Sequence, residues 1–395
     1  MPTTVLSIRN YACHTLALKT FLDQPGDGRT QPVIPAADLS WSLLLGGILR
    51  LVSANRLEWL ANFADLKDLG LTRSFGDDAL AYFTERVDAD VIRYRASQTL
   101  KLIKANKAFE DTAFIGLAID GTTAGHTTKE PCPFCHPIKD SKDNIIGYNH
   151  QMVMISVVGT GISLPFDVEP YKPGDSEYAA GKRLLKRAVN LIGPRFADYG
   201  VVDAKFATAP FLHTSDQVGL PIIARLKQNL PELAAAVEAR FSQMPPTTTF
   251  QHGEDWIEAW DADDFDPWAA LDWPTVRAMR YRQHKKDGTV IQAEWLTNFS
   301  IAKLPTMSFF KRAKSRWEIE NQGFNDAKNL YGMEHIQHHH PNSMLMNWLF
   351  LLVALMIERL YRLRYLHRGT HPIITAMQLK DALWLHLRPA RSDSS

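Results

Sequence analysis

Two short apolar runs end on the same residue type: "FIGLAID" (Phe114 to Asp120) and "YGVVD" (Tyr199 to Asp203). Apolar runs this short, bounded by turn-forming residues such as Gly121, are the signature of strands buried on both faces. Between them, "HQMVMISVVGTGISLPFDVEPY" holds two strand-like runs joined by Gly159-Thr160-Gly161, a hairpin. "SEYAAGKRLLKRAVNLIG" then reads as a helix, capped by Ser176 and closed by Gly193. "LPIIARLK" (Leu220 to Lys227) supplies one more buried strand. A strand, a hairpin pair, a helix and two further strands imply a mixed sheet with helices on its faces.

If the two aspartate-bearing strands are parallel neighbours, Asp120 and Asp203 stand side by side at the sheet edge. Carboxylates held that close repel, so one takes a proton or a cation settles between them. A hard divalent ion with oxygen ligands suits the pair, and Mg²⁺ keeps positions open for water and phosphate oxygens. Taken singly, Asp120 also reads as the start of an Asp-Gly turn and Asp203 as a loop cap. A third carboxylate lies in "SRWEIENQGFNDAKNLYG" (Ser315 to Gly332). At helical spacing Arg316, Glu320, Phe324 and Lys328 share one side, with the carboxylate between two cations. A surface ion-pair ladder has the same pattern.

The rest of the chain divides by texture. Of 395 residues, those up to about Phe109 show apolar positions at three- and four-residue spacing, a helical region with a DNA-binding or a dimerising role. Residues after Gln228 turn strand-rich, with a hairpin around Asp287-Gly288. "MLMNWLFLLVALMI" (Met344 to Ile357) is too short to span a bilayer and continues into the basic "ERLYRLRYLHR", so a buried helix and no membrane contact are expected. Net charge is only +1, but from Ile301 onward Lys and Arg outnumber Asp and Glu about two to one, whereas His252 to Trp273 carries only acids. Three cysteines, two of them in "PCPFCH", exclude a disulfide framework and suit a reducing compartment, and no signal peptide is evident. Cys132 and Cys135 are half of a Zn²⁺ site that His136, His126 or His150 would complete; a reduced thiol pair is the other reading. "HIQHHHPN" (His335 to Asn342) is a solvated loop or the lining of a DNA path.

With these residues in view, the chain resembles the DDE-type transposases of bacterial insertion sequences, through "AIDGT", "VVDAKFATAPFL" and "RWEIENQGF". The resemblance implies an α/β, ribonuclease-H-like mixed five-stranded sheet with flanking helices, a β-rich insertion, and helical N- and C-terminal regions. Its divisions are a helical region 1–110, the first part of the core 111–228, the β-rich insertion 229–300, the glutamate helix 301–340 and a C-terminal helical region 341–395. It implies Asp120, Asp203 and Glu320 as catalytic ligands of Mg²⁺ (or Mn²⁺), with Arg316 and Lys328 on DNA phosphates. Within the subgroup that carries a Tyr-Arg-Glu-Lys motif, Ala313 replaces the tyrosine, and Lys328 lies one residue further from Glu320 than usual. "RLK" (Arg225 to Lys227) and "LTNF" (Leu296 to Phe299) also resemble the subgroup. The implied partners are terminal inverted repeats and target DNA, bound by a homodimer in the cytoplasm at the nucleoid. A hairpin DNA intermediate would stack a flipped base on Trp256, Trp260, Trp268, Trp273 or Trp295, while Trp317 and Phe324 are expected to pack the glutamate helix down. A nuclease of similar fold, a transposase-derived DNA-binding protein without catalysis, and a regulator built on the cysteine pair are the other readings.

Overall fold

The structure, a computed structural model, describes residues 3–109, 114–129, 131–368 and 370–387. Its strands are β1 (Gly116–Thr127), β2 (Cys135–Lys139), β3 (Ile145–Val158), β4 (Leu164–Tyr171), β5 (Tyr199–Val202), β6 (Ile222–Leu226), β7 (Thr248–His252), β8 (Asp255–Phe265), β9 (Val276–His284) and β10 (Val290–Thr297). All ten join one sheet in the order β2-β3-β1-β5-β6-β10-β9-β8-β7, with β4 also on β3. At its centre are the five strands read from sequence. β4, β3 and β1 are antiparallel, while β1, β5 and β6 are parallel, the ribonuclease-H-like arrangement. The other strands extend it: β2 pairs beside β4 on β3, and β10 pairs antiparallel to β6, carrying β7 to β9 outward.

The central strands hold their places because they are apolar on both faces. Leu117, Ala118, Ile119, Val201, Val202, Ile222 and Ile223 are all buried. On one face lies helix Glu177–Ile192, whose N-cap Ser176 accepts from Ala179 N–H and whose buried stripe is Leu184, Leu185, Ala188 and Val189. On the other lies the helix that starts at Thr306 and runs to Asn329. Neighbouring residues of β1 point their side chains to opposite faces and so meet different helices. Asp120 meets Arg316, and a Cβ on Gly121 would lie 2.3 Å from the Glu177 carboxyl carbon. Glycine at position 121 is therefore a close-approach requirement, not the turn expected from sequence.

β1 does not end at Asp120. It continues to Thr127 by pairing with β3 alone, whereas β5 stops at Val202. Asp120 thus sits where β1 loses one of its two neighbours. Residues of the N-terminal helices and the C-terminal helix Pro341–Tyr361 form one body beside β4. Tyr361 Oη and Ser7 Oγ are 2.9 Å apart, Ser343 and Thr84 hydroxyls 3.0 Å, and Arg50 pairs with Glu358 at 2.5 Å. By length and composition the helix Pro341–Leu366 passes as a membrane span, yet 83% of its apolar window is buried inside this fold. One acid of β8 is matched by an arginine of β9: Asp261 and Arg277 form a wholly buried pair at 2.6 Å.

Candidate active site

Strand register brings the two aspartates together. Gly116 to Ile119 of β1 pair in parallel with Tyr199 to Val202 of β5, so the next residues in step are Asp120 and Asp203. Neighbouring strands lie about 4.8 Å apart, and residues level with each other project to the same face. The same row continues into β6, where Val202 pairs with Ala224 and Asp203 therefore falls level with Arg225. Asp203 leaves the sheet at this point, capping the 3-10 turn Ala204–Phe206.

The third acid arrives on the helix packed over that row. Helical segments Thr306–Lys314 and Arg316–Glu318 lead into a π-helical stretch, Ile319–Phe324, and then Asn325–Asn329. Ile319, Phe324 and Ala327 are buried beneath it. Polar bonds fix its rotation: Glu318 Oε2 accepts from Gly159 N–H (3.0 Å), Gln322 Oε1 accepts from Ser163 N–H (2.9 Å), and Ser315 Oγ meets Tyr199 Oη at 2.8 Å. From below, Arg359 donates to the Gln322 carbonyl and pairs with Asp326. So held, Arg316 Nη1 donates to Asp120 Oδ2 at 2.9 Å and pairs with Glu320 Oε1 at 2.8 Å. Two oxygens on one nitrogen at those lengths are at most about 6 Å apart. Lys227 Nζ stands 3.2 Å from Asp203 Oδ1. Asp120, Asp203, Glu320 and Arg316 are thus one cluster; Lys328 Nζ instead pairs with Glu334 at 3.3 Å. A π turn accommodates one residue more than an α turn, the amount by which the Glu320–Lys328 spacing exceeds the subgroup pattern.

Charge in the cluster is poorly hydrated. Burial, reinforced by the charges of Asp203 and Glu320, pushes the Asp120 carboxyl up to about 6, against the pull of Arg316 and the Gly121 N–H. Burial acts on Asp203 as well, but the Ala204 N–H, Lys227 and Arg316 outweigh it and hold that carboxyl below its usual value. Burial also lowers Arg225, which lies over the Trp295 ring at 5.4 Å. Three carboxylates converging at one edge of the sheet are hard oxygen donors, the donor chemistry that Mg²⁺ or Mn²⁺ takes.

A family model described as Transposase DDE domain matches residues 112–357. The chain belongs to the DDE transposases. Members of this family cleave and transfer DNA strands and generally use divalent metals. Among solved structures, a cryo-EM structure described as a piggyBac transposase synaptic complex with hairpin DNA is similar, with a TM-score of 0.47 at 11% identity, over 97% of this chain and 79% of that one. No curated protein matches this chain.

Around the acids, several side chains of this transposase take places that helical spacing and motif alone do not give. Phe324 is buried as expected, but Trp317 is 44% exposed beside Lys314 and Arg316, because the inward positions of its turn are taken by Ser315, Arg316 and Ile319. Of the tryptophans of the insertion, Trp260, Trp273 and Trp295 are buried and Trp268 partly so, while Trp256 is 48% exposed. Core packing accounts for the first three; Trp260 and Trp273 also donate to Met244 O and Asp216 Oδ2. Cys132 and Cys135 stand with His150, whereas His136 turns to the Tyr171 carbonyl and His126 packs on Gly147. Two cations at the acids, Arg225 and Lys227, were legible only as the "RLK" resemblance; their position at the end of β6, the strand paired with β5, is the physical signal.

Proposed function

We propose that this transposase cleaves the ends of a mobile DNA element and transfers the resulting 3′-hydroxyl to target DNA, with Asp120, Asp203 and Glu320 holding two divalent ions. What supports this most is the convergence of the three acids, two by strand register and the third through Arg316. When bound, Mg²⁺ or Mn²⁺ supplies an activated water or hydroxyl nucleophile and neutralises the leaving oxygen. The chain's own residues do the rest. Asp120, raised to about 6, is largely ionised at neutral pH and so free to act as a ligand, its charge supported by Arg316. Arg316 offers a planar fork able to exchange a carboxylate oxygen for a phosphate oxygen. Lys227 holds Asp203 in place, and Lys328, on the helix of Glu320, meets the DNA backbone by exchanging its Glu334 partner for a phosphate. DNA ends are bound by a homodimer, in the cytoplasm.

The test is cleavage of a supercoiled plasmid that carries the element's terminal inverted repeats. Asp120→Ala, Asp203→Ala and Glu320→Ala should each abolish Mg²⁺-dependent nicking while gel-shift binding persists. Joined products with wild-type protein mark a transposase; nicks without joining mark a nuclease. Normal cutting by Glu320→Ala would remove the proposed site.

A further inference from the structure

The geometry points to a second metal centre: we propose that Cys132, Cys135, His150 and His339 bind one zinc ion that clips the β2–β3 hairpin to the segment leaving the glutamate helix. Their ligand atoms all lie within 4.8 Å of one another. Cys132 Sγ and Cys135 Sγ are 3.7 Å apart; His150 Nε2 is 3.4 Å from each sulfur, and His339 Nε2 is 3.4 Å from Cys135 Sγ. A tetrahedral ion with Zn–S near 2.3 Å and Zn–N near 2.0 Å has edges of about 3.8 Å between sulfurs and about 3.5 Å between sulfur and nitrogen. These four edges match those values. They do not match a disulfide, whose sulfurs are about 2.05 Å apart.

The surroundings prepare these four side chains for an ion. Cys135 opens β2, and its register partner across the ladder is His150 on β3, which places both donors on one rung. Cys132 N–H donates to Cys135 Sγ at 3.3 Å, which orients that sulfur. His150 is fully buried, and its Nδ1 faces the Gly125 carbonyl at 3.4 Å, which leaves Nε2 as the lone-pair nitrogen. Gly125 sits at a bulge of β1 with φ +66, and a Cβ there would lie 2.8 Å from Ile336, so the incoming segment packs tightly on it. Neighbouring histidines are otherwise engaged: His338 pairs with Glu85 at 2.8 Å, and His136 with the Tyr171 carbonyl at 2.9 Å.

Four protein donors leave no open position, so the role is structural. A thiolate-and-imidazole set selects zinc over Mg²⁺. The ion joins residues 204 positions apart in the chain. It closes the loop between Asn329, where the glutamate helix ends, and Pro341, where the long C-terminal helix begins. The clip therefore fixes the exit of the helix that carries Glu320.

Metal analysis of the purified full chain tests this. Wild type should contain one zinc per chain, and so should Glu320→Gln and His338→Gln; Cys135→Ser and His339→Gln should fall at least fivefold. Should those two variants fail to fold, treatment of wild type with a mercurial thiol reagent and a chromogenic chelator should release one equivalent of zinc. Wild type with less than a tenth of an equivalent, or a Cys135→Ser variant that keeps its zinc, would overturn the proposal. Neither result depends on whether the carboxylate cluster cuts DNA.

Discussion

Replacing Asp120 by asparagine keeps the size of the side chain and removes the charge that burial opposes. In the folded chain its carboxyl is raised from 3.8 to about 6. Because the folded value lies above the unfolded one, Asp120 favours folding most below pH 3.8, and that contribution is lost as pH rises through 6. Moving an ionisation midpoint by one pH unit takes about 1.4 kcal/mol, so the ionised carboxylate costs the fold about 3 kcal/mol at pH 7, with the favourable pull of Arg316 already included. At pH 5 the same linkage leaves about 1.6 kcal/mol, and at pH 4 about 0.5. Asp120→Asn should therefore be the more stable protein in magnesium-free buffer at neutral pH. With an unfolding entropy of about 2.1 cal/mol/K per residue, 3 kcal/mol in a chain this long is about 4 °C in Tm. Paired thermal unfolding of both proteins at pH 7, 5 and 4 measures it. Added Mg²⁺ should raise the wild-type Tm and leave the variant nearly unchanged. An Asp120→Asn variant that melts below wild type at pH 7, or a gain that does not shrink on acidification, would show that burial does not penalise this charge.

Further expectations concern the frame and the DNA. Glu358 is fully buried and accepts from Arg50, Arg362 and the Tyr331 hydroxyl; Glu358→Ala should cost about 3–5 kcal/mol in urea unfolding, since it strands two arginines in the core. Trp317→Ala should change stability by no more than about 0.5 kcal/mol, because the ring is exposed. Among the tryptophans of the insertion Trp256 is the exposed one, and Trp256→Ala should weaken binding to single-stranded element ends about tenfold by fluorescence anisotropy, the loss expected when one base–indole stack of about 1–3 kcal/mol is removed.

The centre of the fold was legible because runs as apolar as "FIGLAI" and "YGVV" fit only strands covered on both sides, and their shared terminal aspartate marked the register that β1 and β5 adopt. The end of β1 was not legible. "GTTAGHT" reads as loop, since a strand paired on one side needs neither apolar residues nor a regular ladder, and its bulge falls at Gly125. His339 was out of reach for another reason: nothing local joins a Cys-x-x-Cys pair to a histidine tract 204 residues away, and tertiary packing, that of Ile336 on β1 included, brings them together. Trp317 shows the limit of helical spacing. Which side of a helix faces inward was settled by Glu318, Gln322 and Arg359, whose partners lie on other elements.

Whether Asp120, Asp203 and Glu320 together hold divalent ions is open to direct measurement. Mn²⁺ binding followed by electron paramagnetic resonance needs no DNA substrate, and the soft Cys/His cluster does not take this hard ion. Wild type should sequester Mn²⁺, with affinity falling as pH drops below about 6, where Asp120 keeps its proton. Asp203→Asn and Glu320→Gln should each weaken binding at least tenfold. Equal Mn²⁺ binding by wild type and Glu320→Gln would mean that the three acids do not form one metal site.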